Sequence, residues 1–105
     1  MIIYEVNLEV KPEIAEEFHH WLDKHVQQML ALPGFISAQI SHRVDNDTMT
    51  ISNTDITVHY RMQSLQHLRD YFTHHAGEMR ADGVKRFGDQ FKAHRRILAF
   101  EEESA

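Results

Sequence analysis

From the second residue onward, hydrophobic positions fall on one parity and polar ones mostly on the other. Ile2, Tyr4, Val6, Leu8 and Val10 alternate with Ile3, Glu5, Asn7 and Glu9. A period of two describes a strand with one apolar and one polar face. The period then lengthens. On a wheel of about 100° per residue, Ile14, Phe18, Trp21, Leu22, Val26, Met29 and Leu32 share one stripe, which predicts a helix from Pro12 to Leu32. Pro12 suits a first helical turn, and Glu13, Glu16 and Glu17 favour the positive end of the helix dipole. Pro33-Gly34 stops it.

Alternation returns from Phe35 to Val44, with Ile36, Ala38, Ile40 and Val44 on one face. Asp45-Asn46-Asp47 reads as a turn. A third strand is expected from Met49 to Met62, interrupted by a bulge or loop around Asn53-Thr54-Asp55. Beyond that point Ile56, Val58, Tyr60 and Met62 oppose Thr57, His59 and Arg61. Ser64 is a natural N-cap for a second helix carrying Leu65, Leu68, Phe72, Ala76 and Met79. That helix is expected to break near Gly77 or Gly83 and to resume through Val84 to Phe87, with Gly88 ending it. Phe91 to Phe100 is the last strand, and Glu101 to Ala105 is an acidic, solvated tail.

The order βαββαβ implies an α+β, ferredoxin-like domain over residues 1–105, a four-stranded antiparallel sheet with two helices on one face. The other face would be lined by Glu5, Asn7, Gln39, Ser41, Arg43, Thr57, His59 and Arg61, with His94 or Arg96. That surface is too polar for a dry core. It suits a wet interface in a homodimer, two sheets closing into a dimeric α/β barrel, or a site for a polar ligand. Asn7, Gln39, His59 and Arg61 are the candidate ligand-binding residues there.

Composition narrows the chemistry. Eleven basic and sixteen acidic residues give a net charge of −5, which argues against nucleic acid or an anionic membrane as partner. There is no cysteine, so disulfides, thiolate catalysis and cysteine-type metal sites are excluded. No stretch approaches the ~18 apolar residues of a membrane span. The Met1-Ile2-Ile3-Tyr4-Glu5 start lacks the pattern of a signal peptide, so a cytoplasmic protein is expected.

Nine histidines are unusual for 105 residues, and His25 is the most informative. It falls inside the apolar stripe, between Phe18, Trp21 and Met29, where a buried imidazole needs a partner. His75 borders the stripe of the second helix, and both helices cover the same sheet face. His25 and His75, with Tyr71, are the candidate catalytic residues, a proton-transfer pair or ligand clamp. They equally suit core-edge groups bonded to backbone carbonyls, Tyr60 or Tyr71.

Other clusters carry less. His67, Tyr71, His74 and Glu78 recur along one helical face, but His67 and His74 stand two turns apart, about 10 Å, too far for one ion. No metal site is assigned. His19 and His20 diverge around the helix. Lys85, Arg86, Lys92, Arg95 and Arg96 form a basic patch for a carboxylate or phosphate, or for a partner subunit. No glycine-rich phosphate loop is present.

The start Met1 to Val6, the helix Phe18 to Val26 and the segment Lys85 to Phe91 together resemble a small bacterial family of domains of unknown function among the dimeric α/β-barrel folds. That resemblance implies the fold and a homodimer, and brings no reaction and no cofactor. In length and strand order the chain also resembles the antibiotic-biosynthesis and haem-degrading monooxygenases. Asn7 and Tyr71 fall near two positions of the haem-degrading pattern, while Ala81 stands where its ligand histidine is expected. Three functions remain open: a small-molecule binding module, a cofactor-independent monooxygenase or isomerase-type enzyme using His25, and a structural or protein-interaction dimer.

Overall fold

The alternation at the start of the chain places β1 (Ile2–Val10) in the middle of a four-stranded sheet of order β2-β3-β1-β4, in the computed structural model, which describes residues 1–101. The other strands are β2 (Phe35–Val44), β3 (Ile51–Met62) and β4 (Phe91–Ala99), and every neighbouring pair is antiparallel. A 3₁₀ turn over Pro12–Ile14 leads into α1 (Ala15–Leu30); α2 (Leu65–His74) and α3 (Ala76–Phe87) make the second crossover. This is a ferredoxin-like α+β fold.

Register fixes which residues share a face. Val6 pairs with Val58 and Arg95, and Leu8 with Ile56 and Ala93, all on the helix side. Glu5 pairs with His59 and Arg96, and Asn7 with Thr57 and His94, on the open side. The core fills the space between sheet and helices. Phe18, Tyr4, Tyr60, Met29, Ile56, Val58 and Leu68 are almost wholly buried there. Burying each such side chain contributes roughly 1.5–3 kcal/mol.

Local expectations change at the second crossover, in β2 and at the ends of α1. The second crossover is two helices, and the break falls at His75 instead of Gly77 or Gly83. His75 leaves helical geometry (φ −130°, ψ −30°), but its amide still donates to Tyr71 O and its carbonyl accepts from the Met79 amide. The joint therefore leaves none of these backbone groups unsatisfied. Gly83 stays helical, and its missing Cβ lets Trp21 pack close, with Trp21 Cη2 only 3.0 Å from where a Cβ would stand.

In β2, Phe35 pairs with Met62 but Ser37 already pairs with Arg61, so Ile36 is the extra residue of a bulge and stays exposed. The inward face of β2 is therefore Phe35, Ala38, Ile40 and His42. In β3, the expected bulge is present: His42 pairs with Ile56 but Val44 with Ile51, so residues 52–55 bulge against β2 while the strand runs on through Asn53-Thr54-Asp55. Ser52 Oγ accepts the amides of Thr54 and Asp55 at 3.1 and 3.0 Å, which bends the backbone there.

The caps follow the sequence. Ser64 Oγ accepts from the His67 amide at 3.1 Å, and Gly88 ends α3 with φ +59°. The α1 helix is shorter than its stripe because Pro12 lies in the 3₁₀ turn and the chain turns after Leu30. Residues 102–105 of the acidic tail lie outside the described residues. Among the described residues, no helix is long and apolar enough to cross a membrane.

Candidate functional site

The misfit on the α1 stripe sits at the wall of an interior cavity. One turn before it, Trp21 stacks on the His25 ring with centroids 4.5 Å apart and planes 20° from parallel. Trp21 is itself anchored, its indole Nε1 donating to Asp82 Oδ2 of α3 at 2.8 Å. His25 Nδ1 is buried and has no hydrogen-bond partner. Burial pushes the imidazole pKa down; Asp82 opposes that shift and Arg95 adds to it. The ring is thus held neutral, with a nitrogen free to accept or donate.

The cavity is floored by β1 and β3 and roofed by the helices. Its volume is about 40 Å³, room for a few water molecules. Tyr4 and Tyr60 stack in the floor at 6.0 Å between centroids, and Tyr71 of α2 leans on Tyr4 at 5.8 Å. Burial raises the Tyr60 hydroxyl pKa and pushes that of Tyr71 up to about 12, so both remain neutral donors at ordinary pH. Arg80 and Arg95 also line the cavity. Arg80 Nη2 donates to the Tyr4 hydroxyl at 3.3 Å, and its guanidinium lies over the Phe72 ring.

A second polar cluster lies on the open face. Glu5 is 4% exposed although no element covers it. Its carboxylate accepts from Arg96 Nε and, at 3.3 Å, from Arg96 Nη2. It also accepts from Asn7 Nδ2 at 2.9 Å and faces His59 Nε2 at 2.8 Å. Thr57 Oγ1 donates to Asn7 Oδ1 at 2.8 Å, which orients the amide. Arg96 above all, then Asn7 and His59, holds the Glu5 carboxyl at about 2 despite its burial.

The residues singled out from sequence divide accordingly. His25 and Tyr71 line the cavity, but His75 does not. It occupies the joint between α2 and α3, beside His74 at 6.4 Å, because the helix breaks at that residue. Asn7, Gln39, His59 and Arg61 share the open face but not one depression. Gln39, His59 and Arg61 line one hollow, while Asn7 lines another with Ser41, Arg43, Thr57 and His94. The Glu5 cluster ties Asn7 to His59 between them.

The basic patch is not a single surface. Strand alternation sends Arg95 to the helix side and Arg96 to Glu5 on the open side. Nor is the His67–Glu78 stripe continuous, since Glu78 belongs to α3 and His67 Nδ1 is engaged by Ser64 Oγ at 2.7 Å. Among the described residues, no group of three or more His, Asp or Glu side chains could hold a metal ion. Asn7 and Tyr71 lie on opposite faces of the sheet, so they cannot serve one bound haem. As site residues, Tyr4 and Arg80 have no role in the sequence reading, Tyr60 enters it only as a hydrogen-bond partner, and Arg95 only as part of the basic patch. Parity signals the two tyrosines and Arg95, whereas Arg80 becomes visible only through the packing of α3.

The fold is that of a small ferredoxin-like α+β domain, and solved structures share it. It matches SnoaB, a cofactor-independent oxygenase from Streptomyces nogalater, in a single-substitution variant, with a TM-score of 0.71 at 10% identity, covering 97% of this chain and 95% of that one. It matches a candidate antibiotic biosynthesis monooxygenase from Nitrosomonas europaea with a TM-score of 0.70 at 16% identity, covering 95% and 98% of the two chains. An ethyl tert-butyl ether d (ethd) family protein from Bacillus halodurans gives 0.69 at 16% identity, over 96% and 100%. Likeness at this identity is one of fold. No curated protein matches the sequence. The chain belongs to the family described as Domain of unknown function (DUF4286), whose profile matches residues 1–100.

Proposed function

We propose that this chain is a one-domain subunit that binds a small molecule in the cavity between the sheet and the helices, and that two copies pair through their open sheet faces into a dimeric α/β barrel. The observation that carries the first half is His25 Nδ1, a buried polar atom left without a partner, on a residue that lines that cavity. An unpaired buried group costs about 1–3 kcal/mol, and a ligand bonded to it recovers that cost. The second half is supported by the polar surface around Glu5, which suits a hydrated interface. The absence of cysteine is compatible with a reducing cytoplasm.

Native mass spectrometry of freshly purified, untagged protein tests both halves. A dimer carrying a stoichiometric small-molecule adduct is expected, with the adduct lost in His25→Phe. A bare monomer overturns the proposal.

A second reading has one observation in its favour. A neutral imidazole beside undissociated phenols is poised to take a proton from a bound acid, as a cofactor-independent oxygenase or isomerase requires. Turnover of the co-purified compound, abolished in His25→Phe and retained in His75→Phe, would establish it.

A further inference from the structure

We propose that the ligand of the interior cavity is a small aromatic anion, its charged group held at the mouth by Arg80 and Arg95 and its ring directed toward the tyrosines. This rests on the reading that the cavity binds a small molecule, and adds the ligand's chemical class.

Charge comes first. The chain carries a net charge of −5, so its overall field repels anions. Yet two guanidinium groups line this one cavity, and among the described residues neither is ion-paired with a carboxylate. The contrast with Arg96 and Arg43, which engage Glu5 and Asp55, is direct. A planar guanidinium presents paired donors that match a carboxylate.

The remaining polar groups agree. Tyr60 and Tyr71 carry undissociated hydroxyls, which donate to an anion without repelling it. The walls are aromatic, formed by Tyr4, Tyr60, Tyr71 and Trp21, which favours a flat ring. The volume of about 40 Å³ is too small for a ring, but Met29 and Met79 line the cavity, and methionine side chains change shape at little cost.

The test uses benzoate and its neutral isostere benzamide, read by the fluorescence of Trp21, the one tryptophan of the chain and part of the cavity wall. Benzoate should bind at least about ten-fold more tightly than benzamide, the scale of one charge-assisted hydrogen bond. Arg95→Gln should reduce that preference to less than about two-fold. Lys85→Gln removes the same charge outside the cavity and should leave the preference intact.

Three results overturn the inference. Equal binding of benzoate and benzamide removes the anion and leaves the cavity as a binding site. An equal loss in Lys85→Gln and Arg95→Gln reduces the effect to net charge. No response of Trp21 to either compound removes the anion and the cavity together. Arg95 is exposed, so its substitution leaves the core untouched; Arg80→Gln is the second variant, with near-ultraviolet circular dichroism confirming its fold.

Discussion

The two faces of the sheet treat their polar groups in opposite ways. On the open face Glu5 keeps a full charge with no helix above it, yet Arg96, Asn7 and His59 satisfy its carboxylate. On the covered side His25 projects from α1 with its Nδ1 buried and unpaired. Burial alone therefore does not separate structural from available groups. Satisfaction of hydrogen bonds does, because a closed cluster has nothing left to offer a ligand and an open one has.

Substitutions on the two faces should rank by what each one strands. Phe18→Ala, in the aromatic cluster with Trp21, Phe87 and Phe91, should cost about 3–5 kcal/mol in denaturant unfolding. Glu5→Ala should cost about 1–3 kcal/mol, since its partners Arg96 and His59 reach solvent once freed. If Glu5→Ala proves the costlier of the two, the open face is a second core and the comparison fails.

The same carboxylate sets the acid limit. Its pKa lies near 2 when folded, against 4.5 for an ordinary glutamate. As pH falls, the unfolded chain takes up this proton first. The stabilisation is thus complete above pH 4.5 and is lost as pH drops toward 2. Unfolding midpoints of Glu5→Gln should lose much of that dependence.

On the covered face, His25→Phe should keep or raise stability by up to about 1 kcal/mol while binding is lost. The imidazole pKa is depressed in the fold, so the unfolded chain protonates first as pH falls below 6.5. Wild-type stability should decline below that point, and the variant should not follow. Retention of binding in His25→Phe would return the residue to the core. A modest loss is expected from Gly83→Ala, about 0.5–1.5 kcal/mol, as a Cβ presses on Trp21 at 3.0 Å and loosens its bond to Asp82.

Much of this arrangement was legible before any coordinates. Alternation located β1 and the C-terminal part of β3, the wheel located α1, and Ser64 and Gly88 marked the start of α2 and the end of α3. Periodicity reports only local repeats, however, and the misses follow from that. Ile36 fits the apolar parity of β2, but a bulge takes it out of register with Met62 and Arg61. His75 fits the helical stripe, yet the helix bends at that residue. The misfit of His25 was visible on the wheel, while Arg80 was hidden. Arg95 and Arg96 read as one basic pair until their strand sent them to opposite sides.

The joint at His75 bears on mechanics. In an unbroken helix, Tyr71 and Arg80 would be locked about 13 Å apart along one axis. The break makes the α2–α3 part of the roof two beams joined at a pin, while α1 supplies the rest. Tyr71 belongs to the first beam, and Met79, Arg80 and Gly83 to the second. The angle at the pin then sets the distance between the phenol and the guanidinium. Residues around His75 can tune the width of the chamber without altering any side chain of its wall.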